Sequence, residues 1–143
     1  MIHSVTKQIE FCYGHRLINY KGKCANLHGH NAVAEIRIDA PELDYRGMVV
    51  DFGDINAIVK TWINDELDHK MLLNQADPLC QVLGVDWGQP VVKMESNPTA
   101  ENIAKLIYDY TYSKLGLYAI TSVTLWETPN SYAVYRPVRG NYE

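Results

Sequence analysis

Apolar and polar positions alternate along the first stretch of the chain, with Val5, Ile9 and Phe11 on one side and Thr6, Gln8 and Glu10 on the other. That period of two predicts a half-buried strand over residues 3–13. Residues 31–39 repeat it, Ala32, Ala34, Ile36 and Ile38 alternating with Glu35, Arg37 and Asp39, so the second strand has one dry face. A turn-rich run from Ala40 to Gly47 leads into Met48–Phe52, which reads as a further strand. The period then changes. From Asp54 onward Ile55, Ile58, Val59, Trp62, Ile63 and Leu67 fall on one face of a helix, with Gly53 or Asp54 as its N-cap. A second helix follows Asn97-Pro98-Thr99, which supplies a cap and a proline suited to a first turn. Its face is Ile103, Leu106, Ile107 and Tyr110, and Gly116 marks its end. Residues 118–127 and 131–136 return to strand-like composition around a turn at Thr128–Ser131. Segment 71–97 has no readable period.

Strands, two mid-chain helices and strands again predict an α+β layer structure, a sheet covered on one face by two helices. Residues 1–143 read as one domain, since no repeat or linker divides them. With 47% hydrophobic residues, a chain of this length buries a core without a disulfide scaffold. Its three cysteines, Cys12, Cys24 and Cys80, cannot all pair within one chain, which points to a reducing cytoplasm. The N-terminus alternates instead of running apolar, and no stretch reaches the ~18 apolar residues of a membrane span. A net charge of −4 without a basic stripe argues against nucleic acid as the main partner.

Candidate chemistry gathers around three of the five histidines. His28-Gly29-His30 opens the second strand, and residues two apart on a strand face the same way. His15 ends the first strand, so antiparallel pairing sets it beside them. Three imidazoles with no obvious fourth ligand match the open site of a catalytic zinc; ordinary core or surface histidines are the plainer alternative. Cys24, four residues before His28 and near Lys21 and Lys23, reads as a fourth ligand, as a base with a stabilised thiolate, or as a spectator. Cys12, on a strand that reads as core-packed, and Cys80, in an apolar run, read as spectators. Asp68-His69, at the end of the first helix, is a candidate proton shuttle or a simple charge pair. Glu127 ends an apolar strand; it suits the paired N–H donors of a heterocycle edge, and equally a solvated strand end.

Phe11-x-x-x-His15-Arg16-Leu17, Cys24-x-x-x-His28-Gly29-His30, Asp51-Phe52, Leu67-Asp68-His69, Asn97-Pro98-Thr99-Ala100-Glu101 and Glu127-Thr128 occur in this order. Together they resemble the 6-pyruvoyltetrahydropterin synthase superfamily almost end to end. The three-residue gap between Cys24 and His28 is most similar to the bacterial 6-carboxy-5,6,7,8-tetrahydropterin synthase branch. The resemblance implies the tunnelling fold: a four-stranded antiparallel sheet with two helices on one face, assembling into an oligomeric barrel, a homohexamer of two trimers with pterin sites between subunits. It implies that His15, His28 and His30 bind Zn2+, that Cys24 is the proton-abstracting base, that Asp68 and His69 form a proton relay, and that Glu127 anchors the pterin. The implied reaction converts 7,8-dihydroneopterin triphosphate to 6-carboxytetrahydropterin, acetaldehyde and triphosphate, an early step toward queuosine. Arg16, Lys21 and Lys23, clustered in one loop, are candidate triphosphate contacts. The alternatives are the pyruvoyl synthase reaction, folate-pathway side-chain cleavage, and a non-catalytic pterin-binding relative. Two features depart from the family pattern: segment 71–97 is long, and Tyr13-Gly14 precedes His15 where small residues are commoner.

Overall fold

The computed structural model describes residues 1–138. Both alternating segments form long strands, β1 (His3–His15) and β2 (His28–Ala40), paired antiparallel along their whole length from His3 opposite Ala40 to His15 opposite His28. The alternation places Ile9, Phe11, Tyr13, Ala32, Ala34, Ile36 and Ile38 on one buried face. Gln8, Glu35 and Arg37 lie on the other face, where Gln8 donates to Glu35 at 2.9 Å.

Met48–Phe52 is not a strand. Val49 and Val50 are buried in an irregular turn, and Asp51, not Gly53 or Asp54, caps the first helix by accepting from the Gly53 N–H at 2.7 Å. Valines were a strand signal only because propensity cannot distinguish a buried turn from a ladder. The predicted first helix is one helical run built of α1 (Phe52–Ile55), a π-helical stretch (Asn56–Lys60) and α2 (Thr61–Glu66). Its buried residues Ile55, Val59, Ile63 and the following Leu67 are those its periodicity selects.

Segment 71–97 holds the largest correction. It contributes most of β3 (Lys70–Asn74), a π-helical turn (Cys80–Asp86) and β4 (Val91–Met94). Strand β3 runs parallel to β1, and β4 parallel to β3. Leu72 and Leu73 are both fully buried although they point to opposite faces, which is why no period of two shows. Helix α3 (Ala100–Leu115) follows, capped by Thr99 Oγ1, which accepts from the Asn102 N–H at 3.2 Å; Pro98 stands just ahead of the cap. Strands β5 (Ala119–Thr128) and β6 (Ser131–Tyr135) close the sheet through the expected turn. The described residues therefore form a six-stranded mixed sheet, order β4-β3-β1-β2-β5-β6, and not a four-stranded antiparallel one; the two expected helices accompany it as three α-helical segments, the first run being divided by its π-helical stretch. The helical residues Ile55, Val59, Ile63, Ile103, Ala104 and Ile107 join the inner face of the strands in a single core. No helix among the described residues is long and apolar enough to cross a membrane.

One ion pair ties segment 71–97 to the strand pair. The Arg16 guanidinium donates Nε to Asp77 Oδ2 at 2.7 Å and Nη2 to Asp77 Oδ1 at 2.6 Å, and the Asp77 side chain is wholly buried. This pairing, above all the side-chain hydrogen bond, holds the Asp77 carboxyl below its usual range. Nearby, the Asn97 side chain accepts from the Ile18 N–H at 3.1 Å and donates to the Ile18 carbonyl at 2.8 Å. Removing Arg16 alone leaves a buried carboxylate uncompensated, so Arg16→Ala is expected to cost about 3 kcal/mol in urea unfolding. Adding Asp77→Asn should recover much of that loss, and a double variant no more stable than Arg16→Ala would contradict it.

Candidate functional site

The register of β1 and β2 sets His15 directly opposite His28 and Tyr13 opposite His30. Close pairing here requires Gly29, because a Cβ at that position would stand 3.0 Å from the Tyr13 carbonyl oxygen. The three imidazoles converge, with ring centroids 4.5 Å (His15–His28), 5.1 Å (His15–His30) and 5.1 Å (His28–His30) apart. Two of them are fixed from behind. His15 Nδ1–H donates to the Pro98 carbonyl and His28 Nδ1–H to the Asn26 carbonyl, each at 2.7 Å. A carbonyl only accepts, so both rings carry the proton on Nδ1 and leave the Nε2 lone pair free, the form that ligates metal. His15 Nε2 lies 3.2 Å from His30 Nε2. Burial, the largest cause, and the neighbouring imidazoles press the His15 pKa below its usual 6.5, which keeps it neutral.

Glu127 joins this cluster. Two residues after buried Leu125 on β5, it shares that inner face, and the pairing of β5 with β6 slips across it between Trp126 and Thr128. Its Oε1 stands 3.9 Å from Nε2 of both His15 and His30 and accepts from the Tyr13 hydroxyl at 3.1 Å. Burial, then the charge of Glu127, push the Tyr13 phenol well above its usual 10, so it stays a donor. Cys24 sits in a single 3₁₀ turn (Lys23–Ala25) tied down by the Leu17 N–H donating to the Cys24 carbonyl at 2.9 Å. It lines a cavity of about 390 Å³ with His15, His28, His30, Glu127 and Glu101 at the start of α3. Tyr20 and Tyr132 flank the same cavity.

Asp68 and His69 lie elsewhere in the chain. Asp68 Oδ2 is 2.8 Å from His69 Nδ1, so the adjacent side chains do meet. The pair hangs on Cys12, whose N–H donates to Asp68 Oδ1 and whose carbonyl accepts from the His69 N–H, both at 2.8 Å. His69 adopts φ +60°, a left-handed conformation rare for a non-glycine residue, and its side chain is 79% exposed. Cys12 is not core-packed: it alternates with buried Phe11 and Tyr13 and lies on the opposite face of the sheet, half-buried. Cys12 and His69 line a second cavity, of about 550 Å³, that shares His28 and His30 with the first but not Cys24. Within one chain His69 and Cys24 therefore line separate cavities.

Of the basic residues, Arg16 is committed to Asp77 and is not presented to the cavity as a phosphate contact; Lys21 and Lys23 are exposed. The sequence pattern alone does not single out Tyr13 and Asp77 as site-forming residues, although the two-residue spacing that groups His28 with His30 also groups Tyr13 with His15.

A mixed sheet with helices on one face and a trihistidine cluster at the junction of its two long strands defines an α+β protein with a candidate metal centre. The chain belongs to the 6-pyruvoyl tetrahydropterin synthase family, whose model matches residues 4–138. It is 43% identical over 131 residues to the 6-carboxy-5,6,7,8-tetrahydropterin synthase of Rickettsia conorii, covering 89% of this chain and 95% of that protein. It is 32% identical to the enzyme of the same name from Haemophilus influenzae, over 92% of this chain and 97% of that one. Among solved structures, an uncharacterized protein from Wolinella succinogenes matches with a TM-score of 0.83 and 27% identity, covering 95% of this chain and 98% of that chain.

Because His15 is buried neutral, the unfolded chain takes up a proton near pH 6.5 that the folded chain resists. Its contribution to the stability of metal-free protein is full above that pH and declines as pH falls toward the folded value. Thermal melts between about pH 7.5 and 5.5 are expected to show this fall, and His15→Gln should flatten it.

Proposed function

We propose that the chain is a zinc-dependent lyase that converts 7,8-dihydroneopterin triphosphate, with uptake of water, to 6-carboxy-5,6,7,8-tetrahydropterin, acetaldehyde and triphosphate. The observation that carries this reading is the convergence of His15, His28 and His30 beside Glu127 and Cys24 on one cavity. The names of the relatives at 43% and 32% identity support the carboxy reaction over others of the family. In queuosine biosynthesis such a product would serve as a precursor of the 7-deazapurine.

The donor set fits Zn2+: three neutral imidazoles, two with Nδ1–H already bonded to carbonyls, leave room for a substrate oxygen. Bound there, the ion supplies Lewis acidity to the side-chain hydroxyls of the substrate. Glu127 holds the pterin. With Oε1 engaged by Tyr13, its Oε2 accepts from the 2-amino and N3 edge of the ring. Cys24 removes a proton from the substrate side chain. His69, its Nδ1 held by Asp68, moves protons through Nε2.

Cys24 and His69 line separate cavities of one chain, so their division of labour calls for an assembly in which one chain's dyad meets a neighbour's cavity. A closed homohexamer of two trimers, the tunnelling arrangement, is the form we assign. Lys21 and Lys23 are the triphosphate contacts of this reading, and Arg16, paired to Asp77, braces the loop that carries them. Three free cysteines suit a reducing cytoplasm.

Incubation with dihydroneopterin triphosphate, read by mass spectrometry with an acetaldehyde assay, tests the reaction. Cys24→Ala should lower kcat by about 10²-fold or more while retaining the metal, the usual scale for a lost acid–base group. His28→Ala should lose the metal. Full turnover by Cys24→Ala, or wild-type protein free of zinc after purification in its presence, would sink the proposal.

A further inference from the structure

Apart from the trihistidine cluster, the described residues bring together one other trio of metal-ligating side chains: Cys12, Asp68 and His69, with a ligand atom of each within 4.8 Å of the others. The trio is held in place by the backbone. Asp68 Oδ1 accepts from the Cys12 N–H, the His69 N–H donates to the Cys12 carbonyl, and the left-handed φ of His69 turns its imidazole back onto Asp68 Oδ2 at 2.8 Å. Cys12 and His69 open onto the cavity of about 550 Å³, which gives an ion its way in.

We propose that Cys12, Asp68 and His69 form a second metal site for borderline-soft divalent ions such as Zn2+, and that filling it withdraws His69 from proton transfer. Thiolate, imidazole and carboxylate are zinc donors, whereas Mg2+ and Ca2+ favour all-oxygen shells. Charge separates the two sites. Three neutral imidazoles leave a bound dication its full charge for Lewis acidity, whereas a thiolate and a carboxylate cancel it. The second site is therefore a poor Lewis acid, and its effect is to replace the Nδ1 proton that Asp68 otherwise steadies, so that Nε2 keeps the ring's only proton and no longer relays one. The metal-binding half stands on the geometry; the inhibitory half rests on the proposed role of His69 in turnover.

Cobalt separates the two sites by their ligands. In metal-free Cys24→Ser protein, Co2+ is expected to fill the histidine trio first without a thiolate signal, and then a second equivalent with the near-ultraviolet thiolate-to-cobalt charge-transfer band. Adding Cys12→Ser should abolish the band and that equivalent, whereas adding His28→Ala should remove the other equivalent and spare the band. A single equivalent without the band, or a band that survives Cys12→Ser, overturns the site. With otherwise wild-type protein, Zn2+ beyond the first equivalent should slow turnover several-fold, and Cys12→Ser should relieve it; unrelieved inhibition overturns the regulatory half. If the pterin triphosphate is not turned over at all, the proposed function falls and the inhibitory half with it, while the cobalt equivalents still decide the metal site.

Discussion

Everything at the candidate site depends on the register of one antiparallel pair. Strands β1 and β2 match residue for residue over their full length, and that pairing sets His15 against His28 at the end where the chain leaves for the Cys24 loop. Side chains on a strand alternate strictly, so a slip of one residue between the two strands would put His15 on one face of the sheet and His28 and His30 on the other. The apolar pattern opposes such a slip. With β1 held in the core by Ile9 and Phe11, that shift would turn the buried Ala34, Ile36 and Ile38 of β2 into water. The core that makes the fold stable thus also fixes where three imidazoles stand.

Polar groups then complete what the core begins. Burial alone would make His15 merely a weak base; its hydrogen bond to the Pro98 carbonyl, just ahead of α3, also settles which nitrogen is free. Tyr13 plays a similar part for Glu127, donating to one carboxylate oxygen and leaving the other available. Segment 71–97 is secured by Asp77 beneath Arg16 and by Asn97, which grips both backbone groups of Ile18. Partners distant in sequence therefore hold the loop between β1 and β2 from outside as well as through its own short turn.

Legibility in the sequence followed the physics of each element. The long strands and α3 were readable because each has one dry face and one wet face. Strands β3 and β4 were not, since Leu72 and Leu73 are buried on both sides and parallel pairing with β1 has no local turn to announce it. Met48–Phe52 misled because buried valines in a turn look like buried valines in a strand. In the site, the histidine trio was legible from strand spacing alone, and Cys24 and Glu127 join it in one cavity. That Arg16 is spoken for by Asp77, and that Cys12 turns away from the core to carry Asp68 and His69 on its backbone, needed contacts across more than fifty residues of chain.

The start of β2 can also be regarded as a wall. His28 and His30 border both cavities, so the partition between the Cys24 chamber and the His69 chamber is a single strand thick. Gly29, flush against the Tyr13 carbonyl, and Asn31 line the His69 side of it. A bulkier residue at either position would change the volume of one chamber and the pose of the imidazoles in the other at the same time. Variation along this strand is thereby confined: the two chambers cannot be remodelled one at a time.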